Sequence, residues 1–175
     1  MRRILFKGNF LDLIDESGWE YVDRPASMGV VSIIGIFEKR LLLVEQFRQS
    51  QQSSVISLPG GLVDRARTAE AQETTIEAAR REIREETGFE AGAIEELASG
   101  PPSPGMTSES VTFFLASELS KLSGQSLDED ENITVHTIPL LEVPTWLQEK
   151  ELAGAKVDLK VFVGLYFLWA RALKG

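Results

Sequence analysis

The stretch from position 79 to 89, "ARREIREETGF", sets three glutamates, Glu82, Glu85 and Glu86, on one helical turn just ahead of a glycine. Like charges at these spacings repel, so the helix gains nothing from them by itself. At about 100° per residue the three carboxylates fall within roughly 100° of one another. Ile76, Ala79 and Ile83 make a second stripe about 110° away, expected to pack on a core. The pattern predicts a helix from about Thr68 to Thr87, ended by Gly88. Glu77, Arg81 and Glu85 stand one turn apart, an expected ladder of opposite charges. A charged run by itself usually marks a solvated face. Carboxylates so gathered also suit a hard cation such as Mg²⁺, which takes oxygen ligands and phosphate partners.

Outward from this helix the chain reads as strands. "LFKGNFLDLIDE" and "WEYVDRP" have the look of short antiparallel strands, and "GVVSIIGIFEKRLLLVEQF" of two β-rich runs joined by a tight polar turn at Glu38-Lys39-Arg40. "SVISLPGG" is a further strand stopped by Pro59, Gly60 and Gly61. After the helix, "AIEELASG" and "VTFFLAS" flank the loop "PPSPGMTSES"; the acidic loop "LSGQSLDEDEN" leads to the strand "ITVHTI", which contains His136, expected to be a packed or edge residue. Two helices, roughly Leu141 to Lys150 and Val157 to Leu173, complete a mixed α/β sandwich.

Composition narrows the function. A chain of 175 residues suffices for one domain with a proper core. Its net charge of −9 disfavours nucleic acid as a partner. The absence of cysteine excludes a disulfide scaffold and a thiolate metal site, and suits a reducing cytoplasm. Lys7, Gly8, Asn9 and Asp12 interrupt any signal-peptide centre. "VFVGLYFLWA" is ten residues long, against the roughly 20 a membrane-spanning helix needs, and reads as a buried C-terminal helix. A soluble protein without a membrane partner is expected.

The segment Arg81-Glu82-Ile83-Arg84-Glu85-Glu86-Thr87-Gly88-Phe89 resembles the second half of the Nudix hydrolase signature, with Glu73 at the required seven-residue interval before Arg81. The first half departs from the signature. Arg67 stands where its glycine belongs, and Gly60 and Gly61 come six residues early, as if six residues were inserted in "DRARTAEAQE". "SPGMTSE", with Pro104 sixteen residues after Gly88, looks like a loop of the ADP-ribose pyrophosphatase branch, and "LLLVEQFR" like its substrate-side strand end.

The resemblance implies an α/β/α sandwich over residues 29–175, preceded by an N-terminal antiparallel β extension over 1–28, often exchanged between the subunits of a homodimer. It implies metal ligation by Glu82, Glu85, Glu86 and the Gly60 carbonyl, with Mg²⁺ as cofactor and Mn²⁺ as the alternative. From the acidic loop it implies Glu129 as catalytic base and Glu131 as a further metal ligand, with Glu109 the next candidate base. Substrate contacts fall to Arg48, Pro104, Met106 and Glu109, and an aromatic such as Trp19 or Tyr21 would stack on the base. The implied reaction cleaves the pyrophosphate of ADP-ribose or a similar nucleoside diphosphate sugar. GDP-mannose is the alternative substrate, and a non-catalytic nucleotide-sugar sensor the alternative of another class.

Overall fold

The structure, a computed structural model, describes residues 1–64, 72–122, 124–127 and 132–173. Its framework is set by two long strands, β4 (Ser27–Phe37) and β5 (Arg40–Arg48), joined at Glu38 and Lys39. Both turn residues are left-handed, at φ 49° and 61°, as a two-residue hairpin turn requires. Below the turn the strands pair only at Ile36 with Leu41 and Phe37 with Arg40. They then diverge. β5 pairs with β6 (Ser53–Ser57) and β10 (Ile133–Pro139), while β4 runs parallel to β9 (Val111–Lys121) and takes β7 (Leu62–Asp64) beside its first residues. The long antiparallel pair of β8 (Phe89–Gly100) with β9 closes one side, and β11 (Lys156–Val157) adds to β6 on the other.

Helices cover both faces, which explains the unbroken apolar runs of the central strands. Alternation sends Val31, Ile33 and Leu42 to one side, where Ala78, Ala79 and Ile83 of α1 (Thr75–Thr87) pack on them. Ile34, Leu41 and Leu43 face the other side, against Val143 and Leu147 of α2 (Val143–Leu152) and Val161 of α3 (Leu159–Ala172). The α/β/α sandwich expected from the sequence is therefore present. β1 (Arg2–Lys7), β2 (Asp12–Glu16) and β3 (Trp19–Asp23) form a separate antiparallel sheet. His136 lies on β10, 2.8 Å from Glu45 Oε2 and packed against the Trp146 ring.

Four expectations need correction. α1 starts at Thr75, not near Thr68, because Thr74 caps it: its hydroxyl accepts from the Glu77 N–H, and the Glu77 carboxylate accepts from the Thr74 N–H at 2.8 Å. Glu77 is thereby engaged at the cap and has no ion pair with Arg81 among the described residues. Ile76 shares its angular position with Ile83 but remains 42% exposed. It lies about 10 Å earlier along the axis, in the first turn, where Ala78 takes over the packing. α3 is half-buried rather than buried, with Phe162, Tyr166 and Trp169 on its outer side. No helix among the described residues is long and apolar enough to cross a membrane.

Candidate functional site

The divergence of β4 and β5 leaves a wedge, filled along the β4 side by residues 59–61: the Ile33 N–H donates to Pro59 O at 2.8 Å and the Val31 N–H to Gly61 O at 2.9 Å. At Gly60 the passage demands glycine, and at Gly61 a side chain would displace the Glu82 carboxylate. Gly60 has φ 155°, and a Cβ on it would lie 2.1 Å from Val31 O; a Cβ on Gly61 would lie 2.3 Å from a Glu82 carboxylate oxygen. The bare backbone thus lets α1 bring its carboxylates to the mouth of the wedge. Gly88, left-handed at φ 71°, ends the helix as expected and returns its N–H to Arg84 O.

The three helix glutamates are not equivalent. Glu86 is 5% exposed and accepts from the Gly60 N–H at 2.8 Å, so it belongs to the packed interior as much as to the acidic edge. Glu82 and Glu85 are drawn to Arg81, at 2.7 and 3.2 Å. The Arg81 guanidinium also bonds both oxygens of Glu73, at 2.8 and 3.1 Å, and donates to Leu62 O at 3.0 Å. This hydrogen bonding from Arg81 holds the Glu73 carboxyl below the usual range, aided by the Asp64 N–H, and Glu73 in turn raises Arg81. The repulsion expected within the acidic helix is therefore already reduced by Arg81. Glu73 positions Arg81 through this pairing.

The cleft measures about 500 Å³. Glu82, Glu86, Gly60 and Gly61 line it together with Arg48, at the end of β5. Arg48 has no ion pair among the described residues. The structure thus brings Arg48, Gly60, Glu82 and Glu86 of the expected set together, while Glu85 lies outside this lining. It adds residues that sequence reading missed: Arg24, Ser32, Asp64, Asp158 and Lys160. Asp158 ahead of an apolar run was legible as a helix cap, and it does cap α3, but its place in the cleft depends on the pairing of β11 with β6.

The donors at this site are all oxygens, the set a hard divalent cation prefers, and the glycine passage gives them room. Among the described residues no three acidic side chains converge as a metal cage. Glu129 and Glu131 lie outside the described residues. The neighbouring loop ends are tied to α1: Gln125 Nε2 donates to Glu86 O at 2.6 Å and to Ile133 O at 3.2 Å, and the Ser126 N–H to Glu85 O at 3.0 Å.

Trp19 and Pro104 meet in a second cavity of about 320 Å³, with Tyr21 and Gly105. The loop from Ser103 to Glu109 docks on β3: the Val22 N–H donates to Met106 O at 2.8 Å and the Ser108 N–H to Val22 O at 3.2 Å. Trp19 is 76% exposed and the Met106 side chain also faces outward. Glu109 accepts from Arg24 Nε at 2.8 Å, linking this loop to the cleft that Arg24 lines.

Comparison with known proteins places the fold in a family. The chain is 31% identical over 162 residues to the ADP-ribose pyrophosphatase of Bacillus subtilis (strain 168), covering 87% of this chain and 83% of that protein. It is 31% identical over 143 residues to the methanol dehydrogenase activator of Bacillus methanolicus, covering 81% and 73%. Among solved structures, an ADP compounds hydrolase superposes with a TM-score of 0.74 at 22% identity, over 100% of this chain and 92% of the other, a likeness of fold. Residues 26–159, from just before β4 to the first residue of α3, match the NUDIX domain, so this chain belongs to the Nudix family.

Proposed function

We propose that this protein hydrolyses the pyrophosphate bond of a nucleoside diphosphate sugar, ADP-ribose foremost, releasing AMP and ribose 5-phosphate. The observation that carries this reading is the meeting of opposite charges in one cleft, which Arg48 lines together with Glu82 and Glu86. A diphosphate bound there would meet a guanidinium fork as well as cation-binding carboxylates. The similarity to an ADP-ribose pyrophosphatase supports the same substrate class.

Glu82, Glu85 and Glu86, with the Gly60 carbonyl and Glu131, would hold Mg²⁺, with Mn²⁺ the alternative. Bound there, a divalent cation neutralises phosphate charge and makes water more acidic. Arg81 keeps Glu82 and Glu85 in place until then, and Arg48 orients the diphosphate. Glu129 takes the proton of the attacking water. Pro104, Met106 and Glu109 border the substrate, and Trp19 stacks on the base.

We further propose a homodimer, with the extension of residues 1–28 exchanged between subunits. It is supported by the outward-facing apolar side chains of Ile4, Phe6 and Phe10. The activity is assigned to the cytoplasm, where nucleoside diphosphate sugars are made. Purified protein is to be incubated with Mg²⁺ and ADP-ribose, GDP-mannose and other nucleotide sugars, with sugar phosphate release measured. ADP-ribose should turn over fastest. A faster GDP-mannose reaction would move the protein to that substrate. Tight binding without turnover of any substrate would leave a nucleotide-sugar sensor.

A further inference from the structure

Opposite α1, the cleft is bounded by the N-terminal end of α3, and this wall is rigidly mounted. β11 runs parallel to β6, pairing Lys156 with Val55 and Val157 with Ile56, and the Asp158 N–H continues the ladder to Ile56 O at 2.9 Å. Asp158 then caps α3, accepting from the Lys160 N–H at 2.9 Å, and its other oxygen pairs with the Lys160 ammonium. One turn further on, Gly164 seats the helix on the sheet, where an added Cβ would lie 3.0 Å from Leu58 and 3.2 Å from Ile34.

Ser32 points to the same face of β4 as Ile34, two residues nearer the cleft. It is 1% exposed, and its hydroxyl has no hydrogen-bond partner among the described residues. A buried hydroxyl is normally satisfied, and leaving one unmade is unfavourable. Because Ser32 also lines the cleft, a polar group brought by a ligand would satisfy it.

Resting on the nucleoside diphosphate sugar reading above, we propose that Ser32, Asp158 and Lys160 form the subsite that recognises the hydroxyls of the sugar. The charge balance selects this ligand chemistry. Asp158 already neutralises both Lys160 and the positive end of α3, so a phosphate arriving there would have to break the pair. A vicinal diol need not. One hydroxyl donates to the Asp158 carboxylate while its neighbour accepts from the Lys160 ammonium, and Ser32 can act either way. The diphosphate is left to Arg48 and the acidic helix.

The test compares kcat/KM for ADP-ribose with that for the methyl ester of ADP, which keeps the nucleotide and diphosphate and has no sugar hydroxyls. Wild-type protein should prefer ADP-ribose. Ser32→Ala, Asp158→Asn and Lys160→Gln should each lower that preference roughly tenfold or more, mainly through KM for ADP-ribose. Asparagine caps a helix as well as aspartate. Ser32→Ala removes an unpartnered hydroxyl, so its Tm should equal or exceed that of the wild type, which separates lost recognition from a damaged fold. Equal wild-type rates on both compounds, or an unchanged preference in all three variants, would overturn the subsite. Wild-type protein that cleaves neither compound would instead overturn the proposed function on which it rests.

Discussion

Arg81 Nε lies 2.8 Å from Glu73 Oε1, so the middle of α1 grips the residue just before its own cap. Because the same guanidinium also reaches Glu82, Glu85 and Leu62 O, it is the hub of the acidic wall.

Arg81→Ala should therefore destabilise the protein by about 2–3 kcal/mol, through several charge-assisted hydrogen bonds lost at a partly buried site. Arg81→Lys should recover only part of this, since an ammonium cannot span Glu73 and Glu82 as the planar fork does. Urea midpoints of the two variants measure the difference, and equal stability of all three proteins would refute the hub.

The depressed Glu73 carboxyl gives a pH dependence of definite sign. A carboxyl whose folded pKa lies below its unfolded value, about 4.3 for glutamate, stabilises the fold wherever the unfolded chain is also ionised. That contribution is present above the unfolded pKa and fades as pH falls through the folded one. The stability gap between wild type and Glu73→Gln should thus be full near pH 6 and shrink below pH of about 4. A gap that widens on acidification would reverse the assignment.

Metal binding should be visible without turnover. Magnesium at about a hundred times its Kd adds about 2.7 kcal/mol of stability, or roughly 5–10 °C in Tm for a chain of this size. Glu86→Gln should lose most of that rise, and Glu85→Gln a large share. Both should lose activity by a factor of order 10² or more. If both variants keep the full magnesium-dependent rise, α1 is not the metal site.

α1 could be read from sequence because its period and its terminal glycine are local signals, and the hairpin at Glu38 and Lys39 because two apolar runs flank a polar pair. The start of α1 was misread because Thr74 and Glu77 compete with a helical pattern that extends further back. Glu86 was legible as acidic but not as buried. Its partner, the Gly60 N–H, lies 26 residues away and arrives only when residues 59–61 pass along β4. Asp158 and Lys160 were hidden for the same reason, and β11, with two residues, is too short to leave a pattern.

The acidic loop provides a test of roles. Glu129→Gln should depress kcat by on the order of 10² to 10⁴ with KM little changed, because basicity is lost while shape is kept. Glu131→Gln should regain part of its activity as magnesium is raised. Rescue of Glu129→Gln alone would exchange the two roles, and normal kcat in both would move the base to Glu109.

The proposed exchange of N-terminal sheets predicts a dimer by light scattering at micromolar concentration. Phe6→Ser with Phe10→Ser should weaken it, since both rings lie exposed on a single chain. Removal of residues 1–23 should abolish activity. A fully active monomer would dispose of the idea.

Gln72 Nε2 donates to Asp64 O at 2.7 Å, and the Asp64 N–H donates to Glu73 Oε2 at 3.1 Å. Asp64 is thereby held to Gln72 and Glu73, next to a helix that carries its own start signal, while the insertion expected between them lies outside the described residues. Foreign peptide grafted between these residues would begin and finish at one fixed point beside the cleft, and lengthening a closed loop is inexpensive, about 0.6 kcal/mol per doubling. An epitope inserted between Asp64 and Gln72 should therefore leave the cap of α1 in place, with an unchanged Tm as the measure.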